Sequence, residues 1–110
     1  MAGKSLLPDL LRELVKIEGI EWIRLFYLYP HFFTYELTEL IVKEDKICPY
    51  VDLPLQHISQ SVLKRMNRRD SQADILKLID KLTAHGRMLT LRSTFIVVFP
   101  GETEEEFQEL

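Results

Sequence analysis

The sequence predicts an α/β fold built from parallel β/α units. Three observations predict it. Several segments repeat apolar residues at helical spacing, short continuous apolar runs lie between them, and the two kinds alternate along the chain. Alternation of this kind sets strands side by side in parallel, joined by right-handed crossovers. A chain of 110 residues is the size of one ordinary domain. No Pro/Gly/Ser-rich linker divides it.

The elements follow in order. Leu6, Leu7, Leu10, Leu11, Leu14 and Val15 repeat with a helical period, Ser5 is available as N-cap, Pro8 lies in the first turn and Gly19 marks the stop. This predicts a helix over about 6–18. Positions 22–29, WIRLFYLY, are almost all bulky and apolar and end at Pro30. Such a run predicts a strand buried on both faces, with Arg24 at its entrance. Thr34 can cap a helix whose inward face is Tyr35, Leu37, Leu40 and Ile41. A short strand over 50–53 is cut by Pro54. Ser59 then caps a short helix with Val62, Leu63 and Met66 inward. Ser71 and Asp74 open another, striped by Ile75, Leu78, Ile79 and Leu82 and closed by Gly86. The strongest strand is LTLRSTFIVVF, whose positions 95–99 are five consecutive apolar residues. Thr103 and Glu106 form a capping-box pattern at the head of a last, acid-rich helix. A first helix without a preceding strand, and a last one only two turns long, read as part of a larger β/α barrel or open sheet.

Composition narrows the function. Net charge is −3, and the basic cluster Lys64-Arg65-Met66-Asn67-Arg68-Arg69 reads equally as a solvated helix end, so direct nucleic-acid binding is not expected. No apolar run approaches the ~20 residues of a membrane helix. Cys48 stands alone, which suits a cytoplasmic protein without disulfides. A lone cysteine can hold no metal or cluster, and no adjacent partner activates it, so it reads as a small packing residue.

In β/α folds, binding groups gather at the carboxyl ends of the strands. Here those ends are YPHFF, PLQHIS and FPGETEE. They carry His31; Gln56, His57 and Ser59; and Gly101, Glu102 and Thr103. The plain alternative is ordinary strand-to-helix turns, since proline, glycine and caps belong there anyway. Gly101 lets backbone N–H groups come close to a ligand at the head of the last helix. Three acids follow at once, which argues against a phosphate. Glu102 can hold an amine or a ribose hydroxyl, or simply offset the helix dipole. Gln56 offers a neutral donor and acceptor. His57 is either a proton carrier or a hydrogen-bonded structural residue. His31 and His85 have no partner along the sequence, and the patterns of a zinc site, a nucleophile elbow and a phosphate loop are missing.

The blocks YVDLPLQHIS, VLKRMNRR and LRSTFIVVFPGETEEEFQ, preceded by WIRLFYLYP, resemble consecutive blocks of the radical S-adenosylmethionine methylthiotransferases. The resemblance runs over essentially residues 10–110. PLQHIS resembles the RimO subfamily, whereas the tRNA-modifying sister enzymes carry a PVQSGS-like version without the histidine. The resemblance implies a partial (β/α)6 TIM-like barrel, of which residues 1–110 would be the third to fifth strands with flanking helices, without the cluster-binding loop or terminal domains. It implies a four-iron, four-sulfur cluster on a CxxxCxxC loop and S-adenosylmethionine as cofactors of the parent enzyme. It implies insertion of a methylthio group at the β-carbon of an aspartate in a small-subunit ribosomal protein. Three thiolates are needed for that cluster, so this chain alone should retain neither cofactor and should be inactive.

By matching position, Gln56, His57, Gly101 and Glu102 would line the S-adenosylmethionine pocket. Arg68 and Arg92, in the blocks MNR and LRSTF, would meet a carboxylate of ligand or substrate, or else form interface ion pairs. No catalytic residue and no metal ligand is identified. The family usually reads FIVGFPGE, and Val98 stands in place of that glycine. Two methyl groups there are expected to impede close approach by the cofactor. Two other readings stay open: a tRNA methylthiotransferase of the same superfamily, and a non-catalytic β/α binding module. Open parallel edges would also favour self-association.

Overall fold

A computed structural model describes residues 5–84 and 88–110. Helix α1 (Leu7–Leu14) leads to strand β1 (Ile23–Leu25), a 3-10 turn (Pro30–Phe32) and α2 (Tyr35–Lys43). Strand β2 (Ile47–Asp52) is followed by α3 (Gln60–Arg65), α4 (Gln72–Thr83), β3 (Thr90–Arg92) and α5 (Glu104–Gln108). The three strands form one parallel sheet in the order β1-β2-β3. Expected alternation and parallel pairing are both present.

One face of the sheet is covered. Leu11 of α1, Leu37 and Ile41 of α2, Leu63 of α3, and Ile75 and Leu82 of α4 join Leu25, Ile47 and Val51 of the strands in a single core. Helix α1 buries less than its stripe promises. Leu6 and Leu10 are exposed, and only Pro8 and Leu11 are buried, where the helix packs against α2. It is also shorter than the 6–18 expected. Its N-cap position is Leu6, although Ser5 Oγ still accepts the Leu7 N–H at 3.4 Å.

The strands depart further from expectation. The run 22–29 forms a strand only at Ile23–Leu25. Trp22, Phe26 and Tyr27 are exposed rather than buried on a second face. Arg24 lies over the rings of Tyr50 and Phe26, at 3.8 and 5.3 Å from their centroids, rather than at the strand's entrance. The strand ends because Tyr27 takes a left-handed backbone conformation, φ 56°. In α2, Tyr35 points outward while Leu37 and Ile41 point in.

Strand β2 starts at Ile47, three residues before the expected 50–53. Its Pro49 falls within the irregular register between Ile23↔Ile47 and Leu25↔Val51, where a missing N–H costs no ladder bond. The strand expected over 89–99 is regular only at Thr90–Arg92. Pro54 has no N–H to donate, and Gln56 turns left-handed at φ 69°, so regular pairing with β2 stops there. It is replaced by an isolated bridge, Gln56↔Phe95, with Gln56 N–H to Thr94 O at 2.9 Å and Ile96 N–H to Gln56 O at 2.7 Å. The apolar run 95–98 is consequently exposed, not buried.

The local helix caps hold. Thr34 Oγ1 accepts the Leu37 N–H and Ser71 Oγ the Asp74 N–H, and Thr103 with Glu106 forms a complete capping box. Ser59 sits at the N-cap position of α3 without a side-chain cap bond. Its hydroxyl donates to Glu109 instead, at 3.0 Å. Cys48 is half-buried within β2. Gly86 and His85 lie outside the described residues. Among those described, no helix is long and apolar enough to cross a membrane.

Candidate functional site

The carboxyl ends of β1, β2 and β3 bring three turns together. Two buried carboxylates organise them. Asp52, the last residue of β2, accepts the Tyr27 N–H on Oδ2 at 3.0 Å and receives Arg92 Nη1 on Oδ1 at 3.4 Å. Glu102 accepts the Val98 N–H on Oε2 at 2.6 Å, and its Oε1 lies 2.5 Å from His57 Nε2. Each carboxylate therefore holds the backbone of a non-glycine residue in the left-handed region, Tyr27 in one case and Val98 (φ 59°) in the other. Such conformations persist only where surrounding structure over-determines them.

His57 is 0% exposed. Its Nδ1 accepts the Ser59 N–H at 3.0 Å. An acceptor at Nδ1 leaves the proton on Nε2, so His57 donates to Glu102. The pair spans 45 positions and joins the turn after β2 to the turn after β3. Gly101 has φ 79°, and a Cβ added there would meet nothing within 4 Å. The glycine is required by its backbone angle, not by crowding.

The remaining predicted residues separate. Gln56 is half-buried beside His57 with its backbone bonded across to Thr94 and Ile96. Arg92 is anchored at one nitrogen by Asp52, while its side chain remains 55% exposed. Arg68 lies elsewhere: Nη2 donates to Pro54 O at 2.7 Å, and the guanidinium stacks 4.5 Å over the Tyr29 ring. Arg68 thus braces the turn after β2 against the segment after β1. Helix α5 is docked by Arg65, which donates to Glu106 Oε2 at 2.8 Å. The Arg65 hydrogen bond, with a second from Ser61, pulls the Glu106 carboxyl down to about 2.

Sequence reasoning missed Asp52. The signal was present: a carboxylate ending an otherwise apolar strand needs donors if it is buried. Its partners, Tyr27 and Arg92, are 25 and 40 positions away and are not visible from spacing.

The iron–sulfur requirement can be tested against the donors present. The one cysteine, Cys48, lies within β2, and no group of three or more His, Cys, Asp and Glu side chains among the described residues could hold a metal ion. The side chains present do not fit a cluster.

Comparison with known proteins identifies the family. The profile of the radical SAM superfamily matches residues 2–110. The chain is 52% identical over 108 residues to the ribosomal protein uS12 methylthiotransferase RimO of Alkaliphilus oremlandii, covering 98% of this chain and 25% of that protein. It is 53% identical over 108 residues to the protein of the same name from Clostridium botulinum strain Hall, covering 98% and 24%. It is 50% identical over 110 residues to that of Geotalea uraniireducens, covering 100% and 25%. The chain spans about a quarter of the length of these curated relatives. A match across nearly the whole chain, on a parallel β/α sheet with its polar groups gathered at the strand ends, makes this chain a member of the radical SAM superfamily.

Proposed function

We propose that this chain is the central part of the radical SAM domain of a ribosomal protein methylthiotransferase. Residues 1–110 would supply the third to fifth strands of the partial barrel. The parent enzyme would act in the cytoplasm on an aspartate of ribosomal protein uS12, replacing a C–H at the β-carbon by C–SCH3. The observation that carries this reading is identity of about one residue in two to uS12 methylthiotransferases over the whole chain. The single histidine of PLQHIS, locked to Glu102, supports the ribosomal-protein branch over the tRNA branch.

S-adenosylmethionine and a four-iron cluster would supply the radical in the parent; the cluster ligands lie outside these residues. The roles left to this chain are binding and orientation. Arg92, held at one nitrogen by Asp52, presents its other N–H groups to a carboxylate of ligand or substrate. Gln56 presents an amide, and the Gly101 turn allows close backbone approach. His57 and Glu102, sealed against each other, act by fixing the shape of the 98–102 turn that borders the ligand. Arg68 braces the opposite turn.

Mass spectrometry of uS12 from a strain lacking the parent gene tests the reading. Loss of the methylthio group, restored by the wild-type parent and not by an Arg92→Ala parent, is the expected result. Unchanged uS12 together with altered tRNA would overturn it.

A further inference from the structure

The face of the sheet opposite the helices carries a cation that no acid among the described residues meets. Leu25 and Val51 point into the core, so Arg24 and Tyr50, one position away on each strand, stand on the other face. Arg24 is exposed, and its guanidinium lies 3.8 Å from the centroid of the Tyr50 ring and 5.3 Å from that of Phe26. The two rings meet edge to face at 6.0 Å. Phe26 lies beyond the end of β1, so the Arg24 side chain leans toward the carboxyl ends of the strands.

Stacking occupies the flat faces of a guanidinium and leaves the N–H groups in its plane free. Those of Arg24 have no hydrogen-bond or ion-pair partner among the described residues. Arg92 is different. Its charge is met by Asp52, two positions beyond Tyr50, which is 1% exposed and also accepts the Tyr27 N–H. Arg24 therefore offers an uncompensated fork of donors, held by two rings, of the kind that takes a carboxylate through two parallel bonds. A neutral amide of the same shape accepts on one oxygen only and brings no charge.

We propose, on the reading of the parent as a uS12 methylthiotransferase, that Arg24 selects the target residue by gripping its side-chain carboxylate, so that aspartate is taken in preference to asparagine. Arg24 supplies in full the charge complement that Arg92, already paired, supplies only in part. The stack on Tyr50 and Phe26 fixes the guanidinium before the substrate arrives, which lowers the ordering cost of the encounter. Enclosure of this face in the parent would shed water from the pair and strengthen it.

Equilibrium binding of labelled uS12 to the full-length parent, read by fluorescence anisotropy, tests it, with uS12 carrying either its target aspartate or asparagine there. On the wild-type enzyme the aspartate form should bind roughly 10- to 100-fold more tightly. Arg24→Gln should erase that preference by weakening the aspartate form alone, with S-adenosylmethionine affinity, from equilibrium dialysis, unchanged. Overturning results are no preference on the wild-type enzyme, a preference that survives in Arg24→Gln, or an equal loss for both forms of uS12. Should Arg24→Gln fail to fold, Arg24→Lys decides, since it keeps the charge without the planar fork. A reduced preference there supports the proposal, and an undiminished one overturns it. Mass spectrometry of uS12 keeps the two readings apart. A parent that methylthiolates uS12 without the aspartate preference refutes the role of Arg24 alone, and one that leaves uS12 unmodified refutes both.

Discussion

Replacing Val98 with glycine should stabilise this chain. Val98 sits at φ 59° and is 85% exposed. A left-handed conformation costs an L residue roughly 1–2 kcal/mol, and a β-branched one is the least suited to it. Glycine removes that cost but adds about 0.4–1 kcal/mol of unfolded-state entropy. Little apolar burial is lost, since the valine methyls already face solvent. The Val98 N–H to Glu102 bond is a backbone bond and survives the change. The net gain is therefore about 0.8 kcal/mol, at the middle of a span of about 0–1.6. With a urea slope of ~1–3 kcal/mol/M, a gain of about 0.8 kcal/mol should raise the midpoint by roughly 0.3–0.8 M. The assay is equilibrium urea unfolding followed by circular dichroism, with Val97→Gly as the control. Val97 is half-exposed and lies outside the left-handed region, so glycine there should only destabilise. A Val98→Gly midpoint equal to or below wild type, or indistinguishable from Val97→Gly, would refute the reasoning.

The His57–Glu102 pair should behave as a unit. His57→Phe leaves the sealed Glu102 carboxylate short of a donor and should cost about 2–3 kcal/mol. Adding Glu102→Gln should cost much less than the two single losses summed, as read by a double-mutant cycle in urea. Acid stability should depend on Glu106. Its folded-state carboxyl is lowered to about 2 from 4.5, so its contribution is complete above pH 4.5 and is lost as pH falls from there toward 2. Glu106→Gln should flatten that part of the stability–pH curve, measured by thermal melts across the window; an unchanged slope would count against the Arg65–Glu106 dock.

The sequence by itself determined what is local. Helical periodicity and the caps Thr34, Ser71 and Thr103 depend on residues three or four positions apart, and these elements formed where the pattern placed them. The alternation of helix and strand likewise sufficed for a parallel sheet. Residue types at the strand ends marked the turns that Asp52 and Glu102 hold together. Tertiary structure decided the rest. An apolar run carries no record of whether a second layer covers it, so 22–29 and 95–99 read as buried strands although Trp22, Phe26, Tyr27 and all of 95–98 meet solvent. Pro54 was visible, but the left-handed Gln56 that ends the regular pairing was not. The link between His57 and Glu102 crosses 45 positions, and that between Asp52 and Tyr27 crosses 25; contacts at such separations follow from folding, not from spacing. Val98 stood out in the sequence only as a departure from a family glycine. Its backbone angle supplies the physical reason: the turn that Glu102 holds requires a left-handed residue, and glycine meets that requirement without strain.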